Sequence, residues 1–130
     1  MGQPCFESLS VLPKKPEHVI FAINDTRLEE SFDELIRLGI KACTIFSSLI
    51  LQTDSEPNLK SRINAKAKEH GVLIIGANSM GVYNIANNTL IGGFDTRDHP
   101  SDGNTTLISQ SGAGMSGIVD CEERIKFNLA

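Results

Sequence analysis

Three short apolar runs constrain this chain more than any other feature: Val19-Ile20-Phe21-Ala22-Ile23, Ala42-Cys43-Thr44-Ile45-Phe46 and Val72-Leu73-Ile74-Ile75. Each is continuous rather than alternating, the pattern of a strand covered on both faces. The segments between them have helical spacing. After the first run, Asn24-Asp25 read as a turn and helix cap. Leu28, Phe32, Leu35 and Ile36 then recur on one stripe, and Gly39 stands where a C-cap belongs. After a loop through Asp54, a second helix is predicted to start near Ser55 or Glu56 with Pro57 in its first turn. Leu59, Ile63 and Ala67 form its apolar stripe, and Gly71 ends it. Strand, helix, strand, helix, strand with no hairpin turn between strands implies parallel, right-handed crossovers. The fold class is therefore predicted as α/β, a three-layer doubly wound parallel sheet.

The stretch from Ile85 to Asn104 differs in kind. Asn87-Asn88, Gly92-Gly93, Asp95, Asp98, Pro100, Asp102 and Gly103 are dense turn formers, the pattern of a connection between domains. Beyond it, Thr106-Leu107-Ile108-Ser109 reads as a short strand. Ser111-Gly112 then turn the chain into a helix with Met115, Ile118 and Val119 on one face. Composition narrows the function classes. The net charge is −4, and the 12 Lys and Arg residues are scattered, so no electrostatic footprint for nucleic acid or an anionic membrane is present. No run approaches the roughly 20 apolar residues of a membrane span. The start Met1-Gly2-Gln3-Pro4-Cys5 lacks the layout of a secretion signal. Three widely spaced cysteines, Cys5, Cys43 and Cys121, fit reduced thiols in a cytoplasmic setting and have no metal-ligand spacing.

In open parallel sheets, ligands bind beyond the carboxyl ends of the strands. Four segments therefore matter: Ala22 to Asp25, Ser47-Ser48, Gly76 to Gly81, and Ser109 to Gly112. The last runs a strand into a helix through small residues. Its free amides and the helix dipole offer a site for phosphate or carboxylate, although Ser111 reads equally well as a simple helix cap. Gly76-Ala77-Asn78 reads as a tight turn leaving a strand, since Asn and Gly tolerate unusual backbone angles.

Two of these segments carry a family resemblance. Gly76-Ala77-Asn78-Ser79-Met80-Gly81-Val82-Tyr83-Asn84 resembles the G-P-N-C-x-G-x-x-N stretch closing the CoA-binding domain of succinyl-CoA ligase α-subunits and NDP-forming acyl-CoA synthetases. Thr106-Leu107-Ile108-Ser109-Gln110-Ser111-Gly112 is similar to the V-S-Q-S-G segment opening that family's flavodoxin-like domain. The run from Pro13 through Gly39-Ile40-Lys41-Ala42 resembles the family's strand, helix and "G-V-K" strand entry. The resemblance implies that residues 1–92 are the C-terminal half of a Rossmann-like CoA-binding domain, 93–104 a linker, and 105–130 the start of the flavodoxin-like domain.

The activity it implies converts acyl-CoA, NDP and phosphate to acid, CoA and NTP through an acyl phosphate and a phosphohistidine. Ala22, Ile23, Asn24 and Ser47 would then line a coenzyme A crevice, with Asn78 and Ser79 near the thiol end. Ser109, Ser111 and Gly112 would hold phosphate or carboxylate. The implied partners are CoA, a small carboxylic acid, and an ATP-grasp domain or β-subunit. NDP, NTP and Mg would bind only through segments outside this chain.

The family's Gly-rich phosphate-gripping turn and its phosphorylated histidine have no counterpart here. His18, His70 and His99 match no catalytic position, and Ala77, Ser79 and Asn24 replace the usual proline, cysteine and proline. No catalytic residue is assigned, and the chain alone is expected to be inactive. Without the rest of the domain, the Val19–Ile23 strand is expected to present an unpaired apolar edge, leaving the chain marginal or self-associating. Two other readings stand beside this one: a non-catalytic CoA-binding or subunit-interaction module, and an unrelated flavodoxin-like nucleotide-binding domain.

Overall fold

The computed structural model describes residue 2, residues 4–84, residue 87, residues 89–92 and residues 105–125, with side chains as far as residue 118. It divides into two compact units, Met1–Ser79 and Met80–Ala130.

The first unit realises the alternation of apolar runs and helical stripes. Strand β1 (Val19–Phe21) leads into helix α1 (Asp25–Arg37), strand β2 (Ala42–Ile45), helix α2 (Leu59–His70) and strand β3 (Leu73–Ile75). The strands form one parallel sheet in the order β1-β2-β3. Its register aligns Val19 with Cys43 and Cys43 with Ile74, and Phe21 with Ile45. Helix α1 is capped by Asn24, whose side chain accepts from Thr26 N, and it closes at Gly39 with φ +67°. Helix α2 starts later than the sequence reading placed it. Its N-cap is Asn58, which accepts from Ser61 N, so Ser55 to Pro57 precede the helix. The cause is competition among caps: Asn58 satisfies one orphan amide, and Asp54 Oδ2 takes the Leu59 amide at 2.6 Å.

Both helices cover the same face of the sheet. Val19, Phe21, Cys43 and Ile45 are buried there against Leu28, Phe32 and Leu35 of α1 and Leu59, Ile63 and Ala67 of α2. The Phe21 and Phe32 rings lie 6.3 Å apart at 44°, a tilted aromatic pair. Side chains alternate across a strand, so Ile20, Leu73 and Ile75 point to the other face, where they are 45%, 76% and 38% exposed. Thr44 is the one fully buried residue on that face, and it shares a 2.9 Å hydrogen bond with His18 Nε2. Continuous apolar runs predicted two covered faces. Among the described residues, helices cover one.

The two helices are joined by a charged lattice. The Arg62 guanidinium bonds the Glu29 carboxylate through Nε and Nη2 and reaches Asp54 Oδ1 at 2.9 Å, while Lys66 Nζ meets Asp33 at 2.6 Å and Glu29 at 3.1 Å. Glu29 is held below the usual glutamate range chiefly by Arg62, with burial opposing and Lys66 assisting. Asp54 is lowered chiefly by the Leu59 amide, then by Arg62. A carboxylate with a depressed folded pKa contributes stability above its ordinary pKa, and that contribution is lost as pH falls through the folded value. The melting temperature should therefore be nearly flat from about pH 6 to 8 and fall below about pH 4. Arg62→Met should lower the melting temperature only slightly at neutral pH, because these pairs are partly exposed and screened, and should flatten the acid limb. Thermal melts across a pH series check both. An unchanged acid limb in the variant would remove this lattice as its source.

The second unit contains a β-hairpin that the sequence reading did not anticipate. Strands β4 (Gly81–Asn84) and β5 (Thr89–Gly92) pair antiparallel, with Val82 opposite Ile91 and Tyr83 opposite Leu90. Helix α3 spans Gly112–Ile125. The strand expected at Thr106–Ser109 does not form. Within residues 105–109, only Thr105 makes a bridge. The expected linker, residues 93–104, and His99 within it lie outside the described residues. No helix among the described residues is long and apolar enough to cross a membrane.

Candidate functional site

Parallel strands in one sheet bring their exit turns to one rim, and here those turns are bonded to each other. Phe46 N donates to Phe21 O at 3.1 Å, joining the exits of β1 and β2. Asn78 N donates to Ser47 O at 2.8 Å and Ser79 N to Ile45 O at 3.2 Å, joining the exits of β2 and β3. The β3 exit turn depends on Gly76. Its φ is +124°, and a Cβ there would stand 2.5 Å from Ile45 O. Asn78 follows in the left-handed region at φ +55°, as the turn reading of Gly76-Ala77-Asn78 anticipated.

The candidate residues of the first unit thus share this rim, but their side chains are not equally available. Ala22 is exposed directly after β1, while Ile23 is half-buried and packs against the core. Asn24 Oδ1 accepts from Thr26 N at 3.0 Å and from Thr26 Oγ1 at 3.2 Å, so it is committed to capping α1. Ser47 Oγ is buried and has no hydrogen-bond partner. Asn78 is exposed and Ser79 half-buried.

Sequence reasoning treated Asp25 only as part of a turn and cap. In the structure its Oδ1 accepts from Leu49 N at 3.0 Å, and its Oδ2 accepts from Ile50 N and Ser48 Oγ, each at 3.2 Å. Burial pushes this carboxyl up, but the Ser47 hydroxyl, the Ile50 and Leu49 amides and the Ser48 hydroxyl together hold it below the usual aspartate range. Ser47 contributes by proximity, outside strict hydrogen-bond geometry. The available signal was an acidic residue in the first turn after one strand, with Ser-Ser at the exit of the next.

Electrostatics limit what this rim can take. The N-terminus of α1 carries Asp25, and that of α2 is closed by Asp54, which accepts from Ser55 N and Leu59 N. Helix N-termini normally attract anions, but Asp54 closes that of α2, and Asp25 places a carboxylate in the first turn of α1. The rim therefore suits an uncharged, hydrogen-bonding ligand segment better than a phosphate.

In the second unit, Ser111 Oγ accepts from Gly114 N at 3.0 Å and caps α3. Ser109 Oγ accepts from Ser111 N at 3.1 Å and donates to Ser111 O at 3.0 Å. Both hydroxyls are used locally, which matches the cap alternative for Ser111. A Cβ on Gly112 would stand 3.0 Å from Met80 Cγ. Outside the candidate residues, Cys43 is buried and its thiol is pushed up to about 11 by desolvation, so it is unreactive at neutral pH. His70 ends α2, and its carbonyl accepts from Lys41 Nζ at 2.6 Å. No group of three or more His, Cys, Asp or Glu among the described residues is placed to hold a metal ion.

This architecture has known relatives. The chain is 24% identical over 116 residues to the 4-hydroxybutyrate–CoA ligase [ADP-forming] of Nitrosopumilus maritimus (strain SCM1), covering 88% of this chain and 17% of that protein. It is 28% identical over 117 residues to acetate–CoA ligase [ADP-forming] II of Archaeoglobus fulgidus, covering 89% of this chain and again 17% of the relative. The chain thus corresponds to a small part of these ADP-forming ligases. Among solved structures, PH0766 from Pyrococcus horikoshii OT3 superposes with a TM-score of 0.80 at 22% identity, over 95% of this chain and 28% of that one. The Ca. Korarchaeum cryptofilum dinucleotide forming acetyl-coenzyme A synthetase 1, in complex with phosphate and ADP, gives 0.75 at 22% identity, over 99% of this chain and 27% of that one. These likenesses establish the α/β, Rossmann-like fold. Residues 1–85 match the family described as the CoA binding domain, and with more than half of its length so matched this chain belongs to that family.

Proposed function

We propose that the chain supplies one wall of the coenzyme A crevice of an NDP-forming acid–CoA ligase. The observation that carries this reading is the bonded rim of three exit turns in a chain of the CoA binding domain family. Ala22, Ile23 and Asn24, then Ser47, line the crevice, and Asn78 and Ser79 stand toward the thiol end. Asn24 takes part through its backbone, its side chain being engaged in the cap. The carboxylates at the starts of α1 and α2 favour the uncharged pantetheine arm for this wall, leaving the CoA phosphates to groups elsewhere in the enzyme. Ser109, Ser111 and Gly112, before and at the start of α3, are the groups for a phosphate or carboxylate, with the Gly112 amide as the donor, since the Ser111 amide is engaged by Ser109 Oγ.

In this reading residues 1–92 are the second half of the CoA-binding domain, 93–104 a linker and 105–130 the opening of a flavodoxin-like domain. NDP, NTP, Mg, the phosphohistidine and the ATP-grasp partner belong to other segments of a cytoplasmic ligase, and the acid is activated there as its acyl phosphate. Calorimetric titration of the chain with coenzyme A, and separately with pantetheine, tests the reading. Both should bind weakly, near the millimolar range that corresponds to about 4 kcal/mol, with pantetheine retaining most of the affinity. Absence of heat at millimolar coenzyme A would remove the binding function. Affinity that vanishes in pantetheine would remove the assignment to the uncharged arm.

A further inference from the structure

We infer that Asp25 is the positioning residue of this rim: its carboxylate clasps the β2 exit loop, Ser47 to Ile50, onto the first turn of α1 and so sets where Ser47 and Asn78 stand. As a statement about ligand binding, this rests on the reading of the rim as a coenzyme A crevice.

The geometry has three parts. First, the clasp joins positions 23 to 25 residues apart, through the Leu49 and Ile50 amides and the Ser48 hydroxyl. One carboxylate thus satisfies two backbone donors that the loop cannot satisfy itself. Second, the loop is held in a conformation it would not choose. Leu49 has φ +60°, a region an ordinary residue rarely visits, with its side chain only 4% exposed in the core. Buried packing of Leu49 holds one side of the loop, and Asp25 holds the amides on the other.

Third, the clasped segment continues into the rim. Ser47 O receives the Asn78 amide and Ile45 O the Ser79 amide, so the β3 exit turn is placed by a loop that Asp25 places. Asp25 is half-buried, with its oxygens turned to the loop. It acts on a ligand through Ser47 and Asn78 rather than by contact. A carboxylate in the first helical turn is also favoured by the α1 dipole, which keeps it ionised and accepting.

The test compares Asp25→Asn and Asp25→Ala with Asp33→Asn in the full 130-residue chain. Asp33 lies on the same helix and pairs with Lys66, away from the rim. Asparagine keeps the shape of Asp25 but can accept at only one of its two terminal atoms, so it covers the case in which the alanine variant does not fold. Amide hydrogen exchange at Leu49, Ile50 and Asn78 and coenzyme A affinity by calorimetry are read below each variant's melting transition.

Both Asp25 variants should speed exchange at all three amides, and coenzyme A affinity should fall by about tenfold in Asp25→Asn, in line with loss of hydrogen bonds to a charged acceptor. Asp33→Asn should lower the melting temperature with exchange at those amides and affinity unchanged. Unaltered Asn78 exchange in folded Asp25→Asn overturns the positioning role. If the wild-type chain binds no coenzyme A, the crevice reading fails by itself, and exchange at Asn78 still decides the role of Asp25. Wild-type binding with affinity retained within twofold in Asp25→Asn overturns the claim that the clasp serves the ligand.

Discussion

Gly76→Ala should lower the melting temperature of the first unit by roughly 10–20 °C, a loss of about 3 kcal/mol. Two costs combine at this position. The backbone sits at φ +124°, well away from the αL well that some non-glycine residues can enter. A Cβ would also lie 2.5 Å from Ile45 O, and that atom is backbone in the central strand, so it cannot swing aside. Gly71→Ala provides the contrast. Gly71 caps α2 at φ +63°, and nothing lies within 4 Å of a Cβ built there. It should cost about 1–2 kcal/mol from backbone strain alone. Far-UV circular dichroism melts of the two variants decide the matter. Equal losses would mean that the β3 exit turn does not press on β2 as described.

The same turn separates what the sequence reveals from what it hides. Parallel order followed from three apolar runs, each divided from the next by a helical stripe and a cap, because the pattern is local and periodic. The shared rim then followed from topology alone. Contacts across 20 or more residues leave no such trace. Asp25 and Leu49 look ordinary in sequence, and only coordinates reveal the clasp and the left-handed leucine. The start of α2 was misread because Pro57 is a favoured first-turn residue, while Asn58 and Asp54 both cap. The β4–β5 hairpin was missed because its strands are short and flanked by Gly and Asn, which dominate the local pattern. For the candidate residues, position was legible and availability was not. Asn24, Ser109 and Ser111 spend their side chains on caps and turns, which no spacing argument distinguishes from ligand binding.

Truncation on the two faces of the sheet should have opposite consequences. On the helical face, Phe32 is fully buried in α1 against Phe21, and Phe32→Ala should cost about 3–5 kcal/mol, enough to unfold much of a marginal unit at room temperature. On the other face, Ile20 and Leu73 are 45% and 76% exposed, so replacing them removes little buried area. Ile20→Thr with Leu73→Thr should leave the melting temperature within about 3 °C, the scale of surface substitutions.

What those two residues do add is sticky surface on the open face of the two outer strands, β1 and β3, whose outer edges carry no partner strand among the described residues. Self-association of the wild-type chain should therefore rise with concentration, and the double variant should shift it to at least roughly tenfold higher concentration, since losing two apolar contacts is worth more than about 1.4 kcal/mol. Sedimentation velocity over a concentration series reads this directly. A double variant that melts as early as Phe32→Ala would mean the second face is packed in solution. A monomeric wild-type chain at all concentrations would mean that the exposed isoleucine and leucine are tolerated without a partner, and the expectation of a half-covered sheet seeking its second layer would fall.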